Sequence, residues 1–66
     1  MFRWRYLDDA GRGVGASEPF MRREDAESWM SEAWAALRER GIEEVVLLDE
    51  DRDDPLYRMG LGPEPS

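Results

Sequence analysis

Six amino-acid types are absent from this chain of 66 residues: lysine, histidine, cysteine, asparagine, glutamine and threonine. Without cysteine no disulfide can form, and without cysteine and histidine the chain lacks the usual ligands of zinc. The serines also lack a histidine or lysine that would activate them as nucleophiles. These absences predict a protein that is not an enzyme and that holds no cofactor.

Positive charge is scarce as well. The chain has nine arginines and sixteen aspartates and glutamates, which give a net charge of −7. An acidic surface repels nucleic-acid phosphates and anionic lipid headgroups, so non-specific binding to either is disfavoured. No apolar run approaches the roughly 18 residues of a membrane helix, and residues 1–6 lack the apolar core of a signal peptide. The sequence therefore predicts a soluble, cytoplasmic protein that does not contact a membrane.

The short length of the chain limits its stability. A domain of this size buries only about 60% of the surface that its unfolded chain exposes. Small domains usually add disulfides, metals or a second subunit, and the composition disfavours the first two. Three tryptophans, two tyrosines and two phenylalanines can build a compact aromatic core. We therefore expect one densely packed domain, with self-association as a further source of stability.

The N-terminal part of the chain has the pattern of a β-hairpin. Alternation over residues 2–8 predicts a strand with Phe2, Trp4 and Tyr6 on one face. The Asp and Gly residues that follow predict a turn, because Asp bonds to its own backbone and Gly adopts positive φ. A short second strand over residues 13–17 completes the hairpin, although its glycines weaken it.

The middle of the chain predicts an amphipathic helix from Arg22 or Arg23 to about Arg40. Gly41 is placed to end it in the left-handed conformation. Four residues at helical spacing form the stripe expected to be buried: Ala26, Met30, Ala33 and Leu37. Trp29 and Trp34 flank that stripe, where packing at the core boundary is the favoured interpretation and a docking edge the alternative.

The C-terminal part predicts a second hairpin, with strands over residues 44–48 and 56–61 and an acidic turn between them. Residues 62–66 are expected to form a flexible tail. The element order ββαββ predicts one α+β domain over residues 1–61. Its simplest form is a four-stranded, mainly antiparallel sheet with the helix on one face. The order of the strands within the sheet stays open.

The acidic turn resembles a calcium-binding loop only in part. Asp49, Asp51 and Asp53 match the first three ligand positions of an EF-hand. The sixth and twelfth positions, which need Gly and Glu, hold Asp54 and Gly60 instead. A polar hairpin turn is therefore the favoured interpretation, and weak divalent-cation binding by the clustered carboxylates stays open.

Arginine and apolar residues are predicted to share one face of the sheet. Alternation places Arg3, Arg5 and Leu7 opposite the aromatic rings of the first strand. The last strand adds Leu56 and Arg58 to the same face. Because arginine among apolar groups is typical of protein interfaces, these five residues are the candidate interaction face. The expected partner is a second copy, giving a homodimer, or an unidentified protein.

Two other interpretations of this face stay open. The arginines can extend over the sheet and pair with nearby carboxylates, without forming any interface. The face can also bind RNA, because aromatic side chains on a sheet can stack on bases. The net charge and the expected burial of the aromatic rings disfavour this nucleic-acid alternative.

Four segments carry a resemblance to known sequences: Trp4–Asp8, Ser17–Phe20, Ala26–Trp29 and Leu56–Leu61. Together they resemble a group of short hypothetical proteins of GC-rich actinobacteria. The resemblance is one of general pattern and spans most of the chain. It implies a GC-rich actinobacterial source, and it implies no function.

Overall fold

The computed structural model describes residues 1–61. In chain order their elements are β1 (Phe2–Leu7), β2 (Gly13–Ala16), α1 (Arg23–Glu39), β3 (Glu44–Asp49) and β4 (Asp54–Gly60). The strands form one four-stranded antiparallel sheet in the order β2-β1-β3-β4. The predicted α+β fold and its ββαββ order are confirmed.

The hydrophobic core lies between α1 and one face of the sheet. Its buried side chains are Trp4, Tyr6, Ala26, Met30, Leu37, Ile42, Val45, Leu47 and Leu61. Trp4 is only 1% exposed, and its indole Nε1–H donates a hydrogen bond to the Ala26 carbonyl over 2.8 Å. This bond links β1 directly to the first turns of α1, so it fixes the helix position relative to the sheet.

Helix α1 follows the predicted amphipathic pattern. Ala26, Met30 and Leu37 are buried, and Ala33 packs against them partly exposed. Beyond the helix Gly41 has a φ of 89°, and the Ile42 N–H donates to the Leu37 carbonyl over 3.1 Å. A left-handed residue followed by this bond is a Schellman stop, so the prediction that Gly41 ends the helix is confirmed.

The second hairpin is tighter than the sequence pattern predicts. The pattern ends one strand at residue 48 and begins the next at 56, whereas β3 reaches Asp49 and β4 begins at Asp54. Asp49 and Asp54 are in fact paired across the ladder. Backbone pairing continues through these aspartates because it uses peptide groups, whatever the side chains. The predicted tail, residues 62–66, lies outside the described residues.

Candidate functional site

The sheet has a second face, opposite α1, which carries the candidate arginines. We call it the open face, formed by Arg3, Arg5, Leu7, Glu44, Val46, Leu48 and Arg58. Its membership follows from the antiparallel register, which sets the β1 residues against β3 and β3 against β4. Within residues 1–61, α1 packs on the other face and no second layer covers this one.

Two of the three arginines on the open face have a carboxylate nearby. Arg3 Nε lies 3.3 Å from Glu50 Oε2, and Arg58 Nε lies 3.5 Å from Glu44 Oε2. The Arg3 Nε atom is buried and this contact lacks hydrogen-bond geometry. Because these pairs are partly exposed, each stabilises the fold by at most about 1 kcal/mol.

Arg5 stands apart from the other two arginines. It is exposed, and among the described residues it forms no ion pair. The neighbouring strand β2 gives it room, since a Cβ atom at Gly13 would lie 3.4 Å from Arg5 Nε. On the other face of the sheet, Gly15 leaves room for Tyr6, since a Cβ atom at Gly15 would lie 3.1 Å from Tyr6 Cδ2. The glycines that weaken β2 as a strand therefore accommodate large β1 side chains.

A shallow depression of about 500 Å³ lies on the open face. Of the five candidate residues it brings together Arg5, Leu7 and Arg58, and it leaves out Arg3. Leu7 is 8% exposed and Val46 is 7% exposed, whereas Pro55 in the same lining is exposed. A ligand in the depression would therefore meet Arg5, Arg58 and Pro55 first.

Leu56 does not line the depression because the ladder is irregular at this point. The register between β3 and β4 shifts between Leu47 and Leu48. Tyr57 pairs with Leu47 and Pro55 pairs with Leu48, which leaves Leu56 as an extra residue in a β-bulge. Alternation therefore breaks between Pro55 and Leu56, and Pro55 lines the depression whereas Leu56 does not.

The aromatic residues of β1 are on the helix side of the sheet. Trp4 and Tyr6 are buried in the core, and Phe2 packs against it. Tyr57 of β4 also lies on that side, because it pairs with the core residue Leu47. These rings are therefore not available for base stacking on the open face, and this disfavours RNA binding there.

A second concave surface lies between α1 and β4. We call it the aromatic groove; it has a volume of about 640 Å³, and its apolar lining includes Met30, Trp34, Tyr57, Met59 and Leu61. Trp34 is 42% exposed and Tyr57 is 45% exposed. The sequence pattern singled out Trp34 as a flanking residue, and Tyr57 reaches the groove from the regular part of β4, where it pairs with Leu47.

The two tryptophans that flank the helix stripe have different surroundings. Trp29 is half-buried, with its ring centroid 5.6 Å from that of Phe20. It therefore packs at the core boundary, as the favoured interpretation states. Trp34 has no such cover and borders the aromatic groove.

The acidic turn between β3 and β4 is held by contacts of its own. Asp49 Oδ1 accepts a hydrogen bond from the Asp51 N–H over 3.1 Å, and the Met1 amino group lies 2.6 Å from Asp51 Oδ2. Across residues 1–61, no three acidic side chains converge closely enough to hold a metal ion. These local bonds agree with a polar hairpin turn.

Comparison of the chain with protein-family models, with curated proteins and with solved structures finds no match. In the described part of the chain, α1 is too short and too polar to cross a membrane. Two surfaces of the described residues are candidates for binding a partner, the open face and the aromatic groove.

Proposed function

We propose that this protein is a small non-enzymatic interaction module that docks a protein surface, either a second copy or another protein, through its open face. The observation that carries the proposal is Arg5, an exposed guanidinium without an ion pair among the described residues. Arginine is enriched at interfaces because its planar group makes several hydrogen bonds and its stem packs on apolar atoms.

The charges of the open face favour a partner whose docking surface is acidic. Three arginines and Glu44 belong to this face, Glu50 approaches it through Arg3, and Asp53 lines the depression. These formal charges balance, so the face is less negative than the rest of a chain whose net charge is −7, and Arg5 is left without an ion pair among the described residues. Electrostatic complementarity would speed encounters with an acidic surface and would orient it on the sheet.

Arg5→Glu tests the proposal, because it reverses the unpaired charge without breaking an ion pair. Arg22→Glu is the matched control, since Arg22 is exposed at the start of α1 and its contact to Glu24 is long, at 3.7 Å. Light scattering measures self-association of each variant, and affinity capture from cell extract measures docking to other proteins. We expect Arg5→Glu to lose the interaction and Arg22→Glu to keep it.

The proposal fails if both variants assemble and capture proteins as the wild type does. Arg3→Glu combined with Arg58→Glu gives a second check on the same face. Anisotropy of a labelled single-stranded RNA at low salt tests the nucleic-acid alternative, because binding that Arg5→Glu abolishes would favour it over protein docking.

A further inference from the structure

Within residues 1–61 the outer edge of β4 has no neighbouring strand, and it lies next to the aromatic groove. Within the described residues β4 pairs only with β3. The Leu61 N–H donates to the Glu43 carbonyl over 2.8 Å, and Gly60 lies opposite Glu44. Since hydrogen-bonded positions alternate in an antiparallel ladder, the peptide groups of Gly60 and Arg58 point away from β3.

The side chains beside this edge are the kind that a second chain would bury. Tyr57 and Met59 lie on the helix side of β4, and Trp34 faces them across the aromatic groove. Tyrosine and tryptophan are the side chains most often found at the energetic centre of protein interfaces. A free strand edge and an exposed aromatic pair therefore coincide at one border of the molecule.

We propose that β4 pairs antiparallel with β4 of a second copy, joining two four-stranded sheets into one continuous sheet. The two-fold axis passes beside Met59, so that Arg58 of each copy lies opposite Gly60 of the other. Both residues present their peptide groups outward, so each Arg58–Gly60 pair forms two backbone hydrogen bonds.

Charge and geometry favour this register over its neighbours. Centring the axis on Arg58 would set two arginines directly opposite each other, which destabilises a strand pair. It would also bring the bulge at Leu56 into the joint. Centring it on Gly60, the last residue of β4, would overlap the two strands only at their final residue. The register at Met59 avoids both and uses the regular part of β4.

The joint would also cover the exposed aromatic residues. In this register Tyr57 of one copy lies opposite Leu61 of the other on the helix side, and the two aromatic grooves meet over the joint. The open faces of both copies stay accessible on the other side of the sheet. The inference is therefore independent of the proposed function, and the dimer would present two open faces to an acidic surface.

Gly60→Pro is the first test of the paired edge. Proline removes the outward N–H of residue 60 but no bond to β3, and edge strands tolerate it for that reason. A Cβ atom at Gly60 would contact nothing within 4 Å, and its φ is not positive. We expect wild-type protein at twice the chain mass of 7.7 kDa in light scattering and Gly60→Pro at the single mass. Circular dichroism checks that the variant keeps its fold.

Met59→Cys tests the register and does not depend on how Gly60→Pro folds. The chain has no cysteine, so a disulfide can form only between two copies. Two residues facing each other at a non-hydrogen-bonded position lie about 4.5 Å apart at Cα, within the range of a disulfide. Met21→Cys is the matched control, because Met21 is 80% exposed and lies away from the edge. We expect covalent dimer in air for Met59→Cys and not for Met21→Cys.

The outcomes separate this inference from the proposed function. A wild-type monomer at every concentration overturns the edge dimer and leaves docking of another protein on the open face intact. A dimer that Gly60→Pro leaves unchanged and Arg5→Glu disrupts also overturns the edge dimer, but supports self-association through the open face. Equal cross-linking of the two cysteine variants contradicts the register at Met59.

Discussion

At the scale of single residues, Ser17 is the one buried polar side chain among residues 1–61. Its Oγ accepts the Trp4 N–H over 3.0 Å and donates to the Glu18 carbonyl over 2.9 Å. The Ser17 N–H in turn donates to the Trp4 carbonyl over 2.8 Å. This hydroxyl therefore serves the backbone of β1, one residue beyond the end of β2.

Ser17→Ala is expected to destabilise the fold by about 1–3 kcal/mol, because the buried Trp4 N–H loses its acceptor. Ser31→Ala is the control, since the Ser31 hydroxyl is exposed and bonds only to the Ser28 carbonyl within the helix. Alanine is the better helix former, so this variant should be neutral or slightly stabilising. Urea unfolding followed by tryptophan fluorescence measures both. Equal stability of the two variants would contradict a structural role for Ser17.

Tyr6 is the buried residue whose ionisation should appear in the stability of the fold. Burial raises the pKa of Tyr6 above its usual 10.0, Arg40 opposes the shift and Glu18 adds to it. Above pH 10 the unfolded chain therefore loses this proton first, and stability falls as pH rises. We expect Tyr6→Phe to show a smaller decline between neutral pH and pH 11 in thermal melts. Parallel declines for the two proteins would exclude Tyr6 as the cause.

At the scale of secondary structure, two glycines that look alike in the sequence have different roles. Gly41 has a φ of 89° and ends α1, whereas Gly60 lies in β4 without positive φ and with open space around it. Only the first needs the conformational freedom of glycine. No contact or backbone angle within a single copy requires glycine at position 60. Its outward peptide N–H is part of the proposed joint.

Gly41→Ala is expected to cost about 1–2 kcal/mol, because a Cβ atom strains the left-handed conformation. Gly60→Ala is the matched control and should not destabilise the monomer, since alanine has less backbone entropy to lose than glycine. Chemical denaturation of both variants gives the comparison. A larger loss for Gly60→Ala than for Gly41→Ala would contradict the assignment of the helix stop.

At the scale of the whole molecule, excess negative charge acts against association of like copies. Each chain carries a net charge of −7, so two copies repel each other at low ionic strength. Proposed docking of an acidic surface at Arg5 would instead be attractive, and salt would weaken it. A change in salt concentration should therefore affect association through the β4 edge and docking on the open face in opposite directions.

Raising the salt from about 0.01 M to about 0.15 M shortens the Debye length from about 30 Å to about 8 Å. We expect the edge dimer to become tighter over this range, because repulsion is screened while its backbone bonds and apolar contacts remain. Capture of an acidic protein through Arg5 should weaken over the same range. Sedimentation measures the dimer and affinity capture measures the docking. A dimer that dissociates as salt is added would argue against joining through β4.

Local features of this chain could be predicted from the sequence because they depend on neighbouring residues. The stripe on α1 and the stop at Gly41 follow from helical spacing and one left-handed residue. The alternation of β1 likewise predicted that Arg3 and Arg5 share a face. The bulge at Leu56 could not be predicted in this way, because it is a property of the pairing between β3 and β4.

The sequence by itself determined which side chains the chain offers and the order of its elements. Composition is fixed whatever the fold, and periodicity sets each element locally. For the residues that the structure describes, only the tertiary structure decided the strand order, the unpaired edge of β4 and the different surroundings of Arg5 and Arg58. These features depend on which strands pair, and the paired strands are far apart in the chain. The pairing is favoured because it buries apolar area over the whole molecule, so no single segment encodes it.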